Sequence, residues 1–264
     1  MNELSNRVIL ITGATSGIGR ATALHFATLG AKVVAAARTQ RTGTELVAEL
    51  QALGAEARFI ATDVTDARQV ERMVNYAITE FGQLDIAFNN AGIFIPEPPL
   101  HEHDDETWDK VINSNLKSIY YCMKHEIRVM LDQKTDNSSQ VSSHKVIINN
   151  ASIIGHRGSA ASGLAYTTAK HGVLGLTRQA ALTYVDHNIR VNAVSPGPTL
   201  TAATRPRLDA PADEVKARLS ALNPTGELVA SEDIAETVAF LCTRAARMIN
   251  GHDIPLDGGQ LAKL

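Results

Sequence analysis

The chain has 264 residues, of which 44% are hydrophobic and 20% charged, and 25 Lys and Arg against 28 Asp and Glu leave a formal net charge of −3. This composition is typical of a folded globule, and the slight acidic excess gives no support for electrostatic binding of nucleic acid. No apolar run reaches the roughly 18 residues that span a bilayer, and two cysteines are too few for a disulfide framework.

The N-terminal apolar stretch is shorter than a secretory signal requires. It runs only from Val8 to Ile11 before Thr12 and Gly13 interrupt it, whereas the apolar region of a signal peptide has roughly 7–15 residues. We therefore expect a cytoplasmic protein that needs no processing, with neither nucleic acid nor membrane among its partners.

Short apolar runs alternate with longer amphipathic segments along the chain. This alternation predicts βαβ units, a parallel sheet with helices on both faces, and one domain over residues 1–264. The predicted strands are Arg7–Ile11, Lys32–Ala37, Glu56–Ile60, Asp85–Phe88, Lys145–Asn150, Ile189–Val194 and Ile254–Leu256. The predicted helices lie near 17–29, 43–53, 66–81, 106–131, 162–186 and 231–242.

Several helix ends carry recognisable signals. Asp66 precedes an amphipathic run and is a predicted N-cap. Gly30, Gly54 and Gly82 follow predicted helices, where a residue in the left-handed conformation is favoured.

Two segments interrupt the alternation. Asp132–His144 is polar and Ser-rich, so we predict an exposed loop before the fifth strand. Pro196–Pro224 carries five prolines and one short helical pattern, and a long irregular excursion inside a compact domain is usually functional. We predict a substrate lid near 198–224, with a solvated surface insertion as the alternative.

A glycine-rich loop, Thr12–Arg20, follows the first predicted strand and opens the first helix. Glycines let backbone N–H groups approach a pyrophosphate, and the helix N-terminus adds partial positive charge. The spacing is G-x3-G-x-G instead of G-x-G-x-x-G, and the Lys-Ser/Thr ending of a P-loop is missing. A plain strand-to-helix turn is the alternative, but the position at the first βα junction favours a phosphate site.

Six motifs together resemble the short-chain dehydrogenase/reductase family, in that family's order and over nearly the whole chain. They are Thr12–Gly19 (TGATSGIG), Asp63-Val64, Asn89–Gly92 (NNAG), Tyr166–Lys170 (YxxxK), Pro196-Gly197 and Asp257–Gly259 (DGG). The resemblance implies a doubly wound sheet of about seven parallel strands, with a dinucleotide across the carboxyl edges at the topological switch point.

The resemblance also implies which residues hold the cofactor. Asn90 is expected to line the nicotinamide side, and Thr199 to bond the carboxamide. The full expected set is Gly13, Thr15, Ser16, Gly17, Ile18, Gly19, Arg38, Asp63, Val64, Asn90, Ala91, Gly92, Tyr166, Lys170, Pro196, Gly197 and Thr199.

The residue types at the end of the second predicted strand indicate which of the two nicotinamide cofactors is preferred. An acidic side chain there would bind a ribose 2′-hydroxyl and repel a 2′-phosphate. Ala37 stands where NAD-preferring relatives usually carry Asp, and Arg38 follows it. Because a guanidinium can grip a phosphate with two hydrogen bonds, we predict NADP(H). If Arg38 stacks on the adenine or points to solvent, NAD(H) or dual use remains.

Tyr166 and Lys170 are four residues apart in a predicted helix, so their side chains share one face. An isolated tyrosine has a pKa near 10, and a neighbouring ammonium favours the phenolate. We therefore expect Lys170 to lower the pKa of Tyr166 and make it a general acid/base for a hydroxyl proton.

Two further catalytic residues are implied by the resemblance. Ser152 follows the fifth predicted strand and is expected to stabilise charge on the substrate oxygen; it precedes Tyr166 by 14 residues, one more than is common in the family. Asn115 matches the helix asparagine that holds a kink and a water molecule. Asn113 is the competing candidate, and Asn115 is preferred because Leu-Lys-Ser follows it.

These residues predict an oxidoreductase that passes a hydride between a nicotinamide cofactor and a carbonyl or secondary alcohol, with Tyr166 as general acid/base. An NAD-dependent alcohol or sugar dehydrogenase of the same family is the first alternative, and a dinucleotide-binding regulator without turnover is the second. Enoyl reductases and sugar-nucleotide epimerases are disfavoured, because the former usually space the tyrosine and lysine more widely and the latter are longer.

The expected partners are a small carbonyl or alcohol substrate and further copies of the chain, since the resemblance implies a homotetramer. His101 and His103 lie in a Pro-rich segment with no third ligand type at suitable spacing. We therefore predict no metal site.

Overall fold

A seven-stranded parallel sheet runs through the molecule, in a computed structural model that describes residues 3–133, 144–159, 162–201, 214, 219, 221 and 223–263. The sheet order is β3-β2-β1-β4-β5-β6-β9. Its strands are β1 (Val8–Thr12), β2 (Lys32–Ala37), β3 (Ala57–Ala61), β4 (Ile86–Asn89), β5 (Lys145–Asn150), β6 (Ile189–Pro196) and β9 (Asp253–Leu256). A second, two-stranded ladder pairs β7 (Thr199–Leu200) with β8 (Val229–Ala230).

Helices cover both faces of the sheet. They are α1 (Gly17–Thr28), α2 (Gln40–Ala52), α3 (Ala67–Phe81), α4 (Asp105–Ile112), α5 (Ser118–Asp132), α6 (Leu164–Thr183) and α7 (Ser231–Leu241). Strand β1 is buried along its length: Ile9 and Ile11 belong to the core with α1, α2 and α7, whereas Val8 and Leu10 belong to the core with α3, α5 and α6. This two-sided burial explains why the strands are continuous apolar runs.

The strand order reverses direction between β1 and β4. Strand β1 lies between β2 and β4, with Ile11 opposite both Ala35 and Phe88. The chain after β1 and the chain after β4 therefore lead to helices on opposite faces of the sheet and leave a crevice at its carboxyl edge, which is where ligands bind in open α/β sheets.

The predicted fold class is confirmed, and the seven predicted strands match those of the sheet to within two residues at each end. The helix signals are confirmed as well: the Asp66 carboxylate accepts hydrogen bonds from the N–H groups of Arg68 and Gln69 at 2.8 and 3.3 Å. The three glycines after helices α1, α2 and α3 have φ values between +76 and +85°.

The helix predicted over 106–131 is divided, because a π-helical segment, Asn113–Lys117, joins α4 to α5. Within it the Asn115 amide donates to the carbonyl of Val111 at 3.0 Å and accepts from the N–H of Ile93 at 3.1 Å. These bonds depend on a loop that arrives from β4, so helix periodicity alone does not predict them.

The ladder of β7 and β8 was not predicted, since two-residue strands are too short to leave a pattern. Of the loop predicted over Asp132–His144, Asp132 ends α5 and residues 134–143 lie outside the described residues, as does most of the predicted lid over 198–224. Among the helices that the structure describes, none combines the length and apolar character needed to cross a membrane.

Candidate active site

The loop after β1 takes a conformation that its glycines make possible. Gly13 and Gly17 have φ values of +65 and +50°, a region that other residues rarely enter. A Cβ atom at Gly19 would overlap the carbonyl oxygen of Gly13 and lie 2.6 Å from the Asn90 amide nitrogen. Ser16, at the N-cap of α1, makes no side-chain capping bond. The first turn of α1 is thus exposed to the crevice, and its N–H groups suit a phosphate.

Thr12 clamps the loop after β1 to the loop after β4. Its hydroxyl oxygen accepts hydrogen bonds from the N–H groups of Asn90 and Ala91, at 3.0 and 3.1 Å. In return the Asn90 amide donates to the carbonyl of Thr12 at 3.0 Å, and the Asn150 amide donates to Asn90 Oδ1 at 2.9 Å. The ends of β1, β4 and β5 are therefore tied together, a role for Thr12 that the sequence analysis missed.

Two adjoining cavities lie along the carboxyl ends of the strands. One, of about 570 Å³, lies beside β1, β2 and β3, and the other, of about 810 Å³, lies beside β4, β5 and β6. Of the predicted site residues, the first is lined by Gly13, Thr15, Ser16, Arg38, Asp63, Val64, Ala91 and Gly92. The second is lined by Gly13, Ser16, Gly17, Ile18, Asn90, Ala91, Gly92, Asn115, Ser152, Tyr166, Lys170, Pro196, Gly197 and Thr199. Gly19 lines neither cavity.

Arg38 lies at the rim of the first cavity, directly after β2. Its side chain is exposed and makes no hydrogen bond or ion pair within the part of the chain that the structure describes. The carboxylate of Asp63, across the same cavity, is already engaged by the N–H and hydroxyl of Thr65, at 2.9 and 2.7 Å. The guanidinium of Arg38 is thus available to an anion, whereas Asp63 is held in place by its own turn.

All four predicted catalytic residues line the second cavity, and three of them, Ser152, Tyr166 and Lys170, lie close to one another. Tyr166 is hydrogen-bonded to Ser152, and the Lys170 ammonium lies 5.5 Å from the centre of the Tyr166 ring. Lys170 also donates to the carbonyl of Asn150 at 2.7 Å. The Ser152 hydroxyl accepts from the N–H of Ile154 at 3.2 Å, so its hydrogen is free to be donated elsewhere.

The protonation of this group differs from the expectation. Burial raises the pKa of Tyr166, and the hydrogen bond to Ser152 offsets this only in part. Burial also lowers the pKa of Lys170 to about 8. The prediction that Lys170 lowers the pKa of Tyr166 is therefore wrong for the protein alone. Removal from water dominates at both groups, so Tyr166 is a neutral phenol at neutral pH, whereas Lys170 is still mostly an ammonium.

The structure separates the two asparagine candidates. Asn115 is 1% exposed and lies in the second cavity, whereas Asn113 lines the first. A Cβ atom at Gly92 would lie 2.6 Å from the Asn115 side-chain oxygen. Asn115 therefore holds the loop after β4 against the π-helical segment, at the level of the catalytic side chains.

The loop after β4 forms a wall of the second cavity that faces Tyr166. Phe94 lies edge-on to the Tyr166 ring, with centroids 5.0 Å apart and an interplanar angle of 85°. Ile93 and Pro96 line the same cavity. The pocket beside the proton-transfer group thus has an apolar wall, although residues 72 positions apart give no signal of their contact in the sequence.

The histidines of the same loop do not approach a metal site. His103 bonds Glu97, and the side chain of His101 is 79% exposed. Within the described ranges, no group of three His, Cys, Asp or Glu side chains is placed to hold a metal ion.

A nicotinamide dinucleotide fits the residues of the crevice. Asn150 Oδ1 is buried at the edge of the second cavity and has no hydrogen-bond partner among the described residues, and Lys170 has donors beyond its bond to Asn150. An ammonium and a free amide oxygen suit ribose hydroxyls and a carboxamide, and the glycine loop suits a pyrophosphate.

The chain was then compared with known proteins. A family model described as enoyl-(acyl carrier protein) reductase matches residues 13–260. The chain is 41% identical over 259 residues to cis-4-hydroxycyclohexanecarboxylate dehydrogenase from Sinomonas cyclohexanicum, with 98% of each chain covered. It is 36% identical over 263 residues to cyclohexanol dehydrogenase from Acinetobacter sp. (strain SE19), with 99% of this chain and 98% of that one covered.

Among solved structures, the chain is similar to a variant of actinorhodin polyketide ketoreductase determined with NADPH. The TM-score is 0.86 at 29% sequence identity, and 97% of each chain is covered. The likeness extends over the whole sheet and the crevice, because nearly all of both chains superimposes.

Proposed function

The chain belongs to the short-chain dehydrogenase/reductase family and is an oxidoreductase of alcohol and carbonyl groups, and from this premise we propose that it interconverts an alicyclic secondary alcohol and its ketone, with NADPH as the preferred cofactor. The observation that carries the substrate class is the apolar wall of Ile93, Phe94 and Pro96 beside Tyr166. Two relatives agree with this substrate class, because the name of each states a substrate that contains a cyclohexane ring.

The proposed chemistry divides among four side chains. The bound nicotinamide supplies or accepts the hydride at the carbinol carbon. In the reducing direction the Tyr166 hydroxyl gives its proton to the carbonyl oxygen, and the Ser152 hydroxyl donates a hydrogen bond to that oxygen as negative charge develops. Lys170 stabilises the resulting phenolate, and Asn115 keeps the adjoining loop in place.

Turnover of a cyclic alcohol by the wild-type protein and by Tyr166→Phe tests this proposal. We expect oxidation of cyclohexanol with NADP⁺ and reduction of cyclohexanone with NADPH, followed by nicotinamide absorbance. Removal of the proton-transfer group lowers kcat by roughly 100- to 10,000-fold. The variant keeps its cofactor affinity, since the ring remains.

Tyr184→Phe is the matched control, because that tyrosine caps the far end of α6. Equal rates in wild type and Tyr166→Phe would contradict the proposed mechanism. Turnover of an enoyl thioester in place of the cyclic ketone would contradict the substrate class.

Arg38 carries the proposed preference for NADPH. Its exposed guanidinium stands at the rim of the first cavity, with Ala37 in place of an acidic residue. A charge-assisted hydrogen bond to a 2′-phosphate contributes about 1.5–3 kcal/mol, or roughly 10- to 150-fold in affinity. The structure of the ketoreductase with NADPH agrees with this choice.

Fluorescence titrations with NADPH and NADH test the role of Arg38. We expect Arg38→Ala to lose the NADPH preference and leave NADH binding unchanged. Arg41→Ala is the control, because Arg41 lies on the exposed face of α2 and pairs with Glu45 at 2.6 Å. Equal affinities for both cofactors in the wild type would refute the preference.

We also propose that the protein assembles as a homotetramer and that it is located in the cytoplasm. Large apolar side chains on three helices support assembly: Tyr120 on α5, Leu182 on α6 and Phe240 on α7 are 47%, 75% and 45% exposed. Light scattering after gel filtration tests this directly. A monomeric mass would contradict it.

A further inference from the structure

Two side chains of the loop between β4 and α4 meet in the interior. The side chain of Glu97 is fully buried and that of His103 is 5% exposed, and 3.0 Å separates His103 Nε2 from Glu97 Oε2. Neither residue belongs to the glycine loop or to the four catalytic side chains. A buried ion pair of this kind requires close to complete hydrogen bonding to be tolerated.

The Glu97 carboxylate occupies the N-terminus of α6, the helix that carries Tyr166. Its two oxygens accept hydrogen bonds from the N–H groups of Ala165 and Tyr166, at 2.7 and 3.1 Å. The N-cap residue of α6 is Gly163, which has no side chain to fill this role. Glu97 therefore caps the helix from a distant loop, where its negative charge is favoured.

The position of the Glu97 carboxyl group requires a residue without a side chain at position 163. A Cβ atom at position 163 would overlap the carboxyl group of Glu97. Its φ and ψ of −71 and 160° are ordinary extended values, so its backbone conformation does not require glycine. The space that Glu97 fills is what excludes a side chain here.

The hydrogen bonds of His103 require both ring nitrogens to carry a proton. Nδ1 lies 3.0 Å from the carbonyl oxygen of Asp104, and Nε2 lies 3.0 Å from Glu97. The carbonyl oxygen can only accept, and the carboxylate already accepts two N–H bonds. The hydrogen bond to Glu97 raises the pKa of His103, and the charged groups acting on the ring are Glu97 and Asp104. Both acceptors and the direction of this shift favour the imidazolium form of His103, whose charge would balance the buried Glu97 carboxylate.

The same loop contacts Tyr166 a second time, through the edge-on ring of Phe94. Phe94 holds the phenol ring and Glu97 holds the backbone N–H of the same residue. We propose that the Glu97–His103 pair has a positioning role. It holds the start of α6 against the apolar pocket wall, so that the bound substrate lies at the correct distance and angle from the Tyr166 hydroxyl. This inference rests on the proposed catalytic role of Tyr166.

A first set of variants separates positioning from cofactor binding. Misplacement of a catalytic group by about 1 Å can cost roughly 100-fold in rate. We expect Glu97→Ala and His103→Gln to lower kcat/KM for the cyclic alcohol by roughly 10- to 100-fold, with the dissociation constant of NADPH unchanged. His101→Gln, an exposed change in the same loop, is the matched control and leaves kcat/KM unchanged.

A rescue variant distinguishes positioning from general stability. In Glu97→Ala, the change Gly163→Asp supplies a local cap in the space that Glu97 has vacated. We expect Gly163→Asp to impair the wild-type enzyme, because it overlaps Glu97, and to restore kcat in Glu97→Ala. In the double variant Glu97→Ala with Gly163→Asp, we expect the further change His103→Gln to leave kcat unchanged. If Gly163→Asp has the same effect in both backgrounds, the proposal is overturned.

The pH dependence gives a second readout. A histidine whose pKa is raised in the folded protein stabilises it below the ordinary histidine pKa, and this is lost as pH rises through the raised value. The wild type should thus lose stability relative to His103→Gln over that range, measured by thermal unfolding. Superimposable pH profiles would overturn the proposal.

Hydrogen exchange keeps this test independent of the substrate. We expect the amides of Ala165 and Tyr166 to exchange faster in Glu97→Ala than in wild type, and protection to return with Gly163→Asp. Absence of turnover by the wild type would refute only the proposed function. Unchanged exchange in Glu97→Ala would refute the positioning role alone.

Discussion

The cavity beside β1–β3 and the cavity beside β4–β6 are built in different ways. The first is shaped by the glycines of one short stretch, Thr12–Gly19, and is completed by short segments that follow β2, β3 and β4. The second joins side chains that are far apart in sequence, such as Phe94 with Tyr166 and Glu97 with Ala165. The proposed cofactor-binding residues therefore lie in short local motifs, whereas the proposed placement of the substrate and proton-transfer group depends on long-range contacts.

Gly19→Ala changes the glycine loop of the first cavity and has the largest effect on cofactor binding expected among the tests of this comparison. The new methyl group would overlap the carbonyl oxygen of Gly13, so the loop must move. Such overpacking costs about 1–3 kcal/mol, and we expect NADPH and NADH to bind roughly 5- to 150-fold more weakly. Fluorescence titration measures both affinities.

Gly158→Ala is the control for this change, since a Cβ atom there meets nothing within 4 Å. Loss of affinity for only one of the two cofactors in Gly19→Ala would show that the loop does not bind the part they share.

The pKa of Lys170 gives a further test, because this residue is expected both to bind the cofactor and to support Tyr166. Burial lowers this pKa to about 8, so the ammonium loses its proton in alkaline solution. We expect NADPH to bind roughly 3- to 10-fold more weakly at about pH 9 than at about pH 7, since a neutral amine is a poorer donor. In Lys170→Met the affinity is low at both pH values and no longer changes. A pH-independent affinity in the wild type would contradict this role.

The last test, at Glu126 below the catalytic half, measures stability instead of cofactor binding. Its buried carboxyl group accepts from the Asn89 amide at 3.0 Å, and Asn89 also donates to Asn149 at 3.1 Å. Burial raises the pKa of Glu126 from 4.5 to about 8. Between these values the folded state keeps a proton that the unfolded state has lost, so stability falls as pH rises.

Glu126→Gln should remove this pH dependence at little cost, because a neutral amide replaces a neutral acid. Denaturant unfolding at about pH 5 and about pH 8 measures the change. Glu71→Gln, on the exposed face of α3, is the control. A wild-type stability that does not fall between these pH values would show that Glu126 is not held neutral.

Features that depend on neighbouring residues could be predicted from the sequence better than features that depend on distant ones. Strands β2 and β5 were predicted with their observed bounds, because each contains a short apolar run that starts directly after a lysine. The residues of the glycine loop and the Tyr166–Lys170 pair were predicted from their spacing together with the family resemblance of the motifs around them. The pKa direction of Tyr166 was wrong, since burial in the folded protein outweighs the neighbouring lysine.

Other features could not be predicted from the residues alone, because their partners come from distant segments. A kink at Asn115 was expected only from the family resemblance, and the π-helical turn found there receives a hydrogen bond from the loop after β4. Glu97 resembles an ordinary loop carboxylate until the fold brings it to α6. Neither contact has a fixed spacing or a residue type that marks it.

The fit between Glu97 and Gly163 has a consequence for engineering. Loops that line a substrate pocket are often exchanged between related enzymes to change specificity, as if they were independent modules. Here the loop also supplies the cap of the helix that bears Tyr166, so a transplanted loop without Glu97 would leave that helix uncapped. A donor loop should therefore be moved together with the residue at position 163, and the two inherited as one unit.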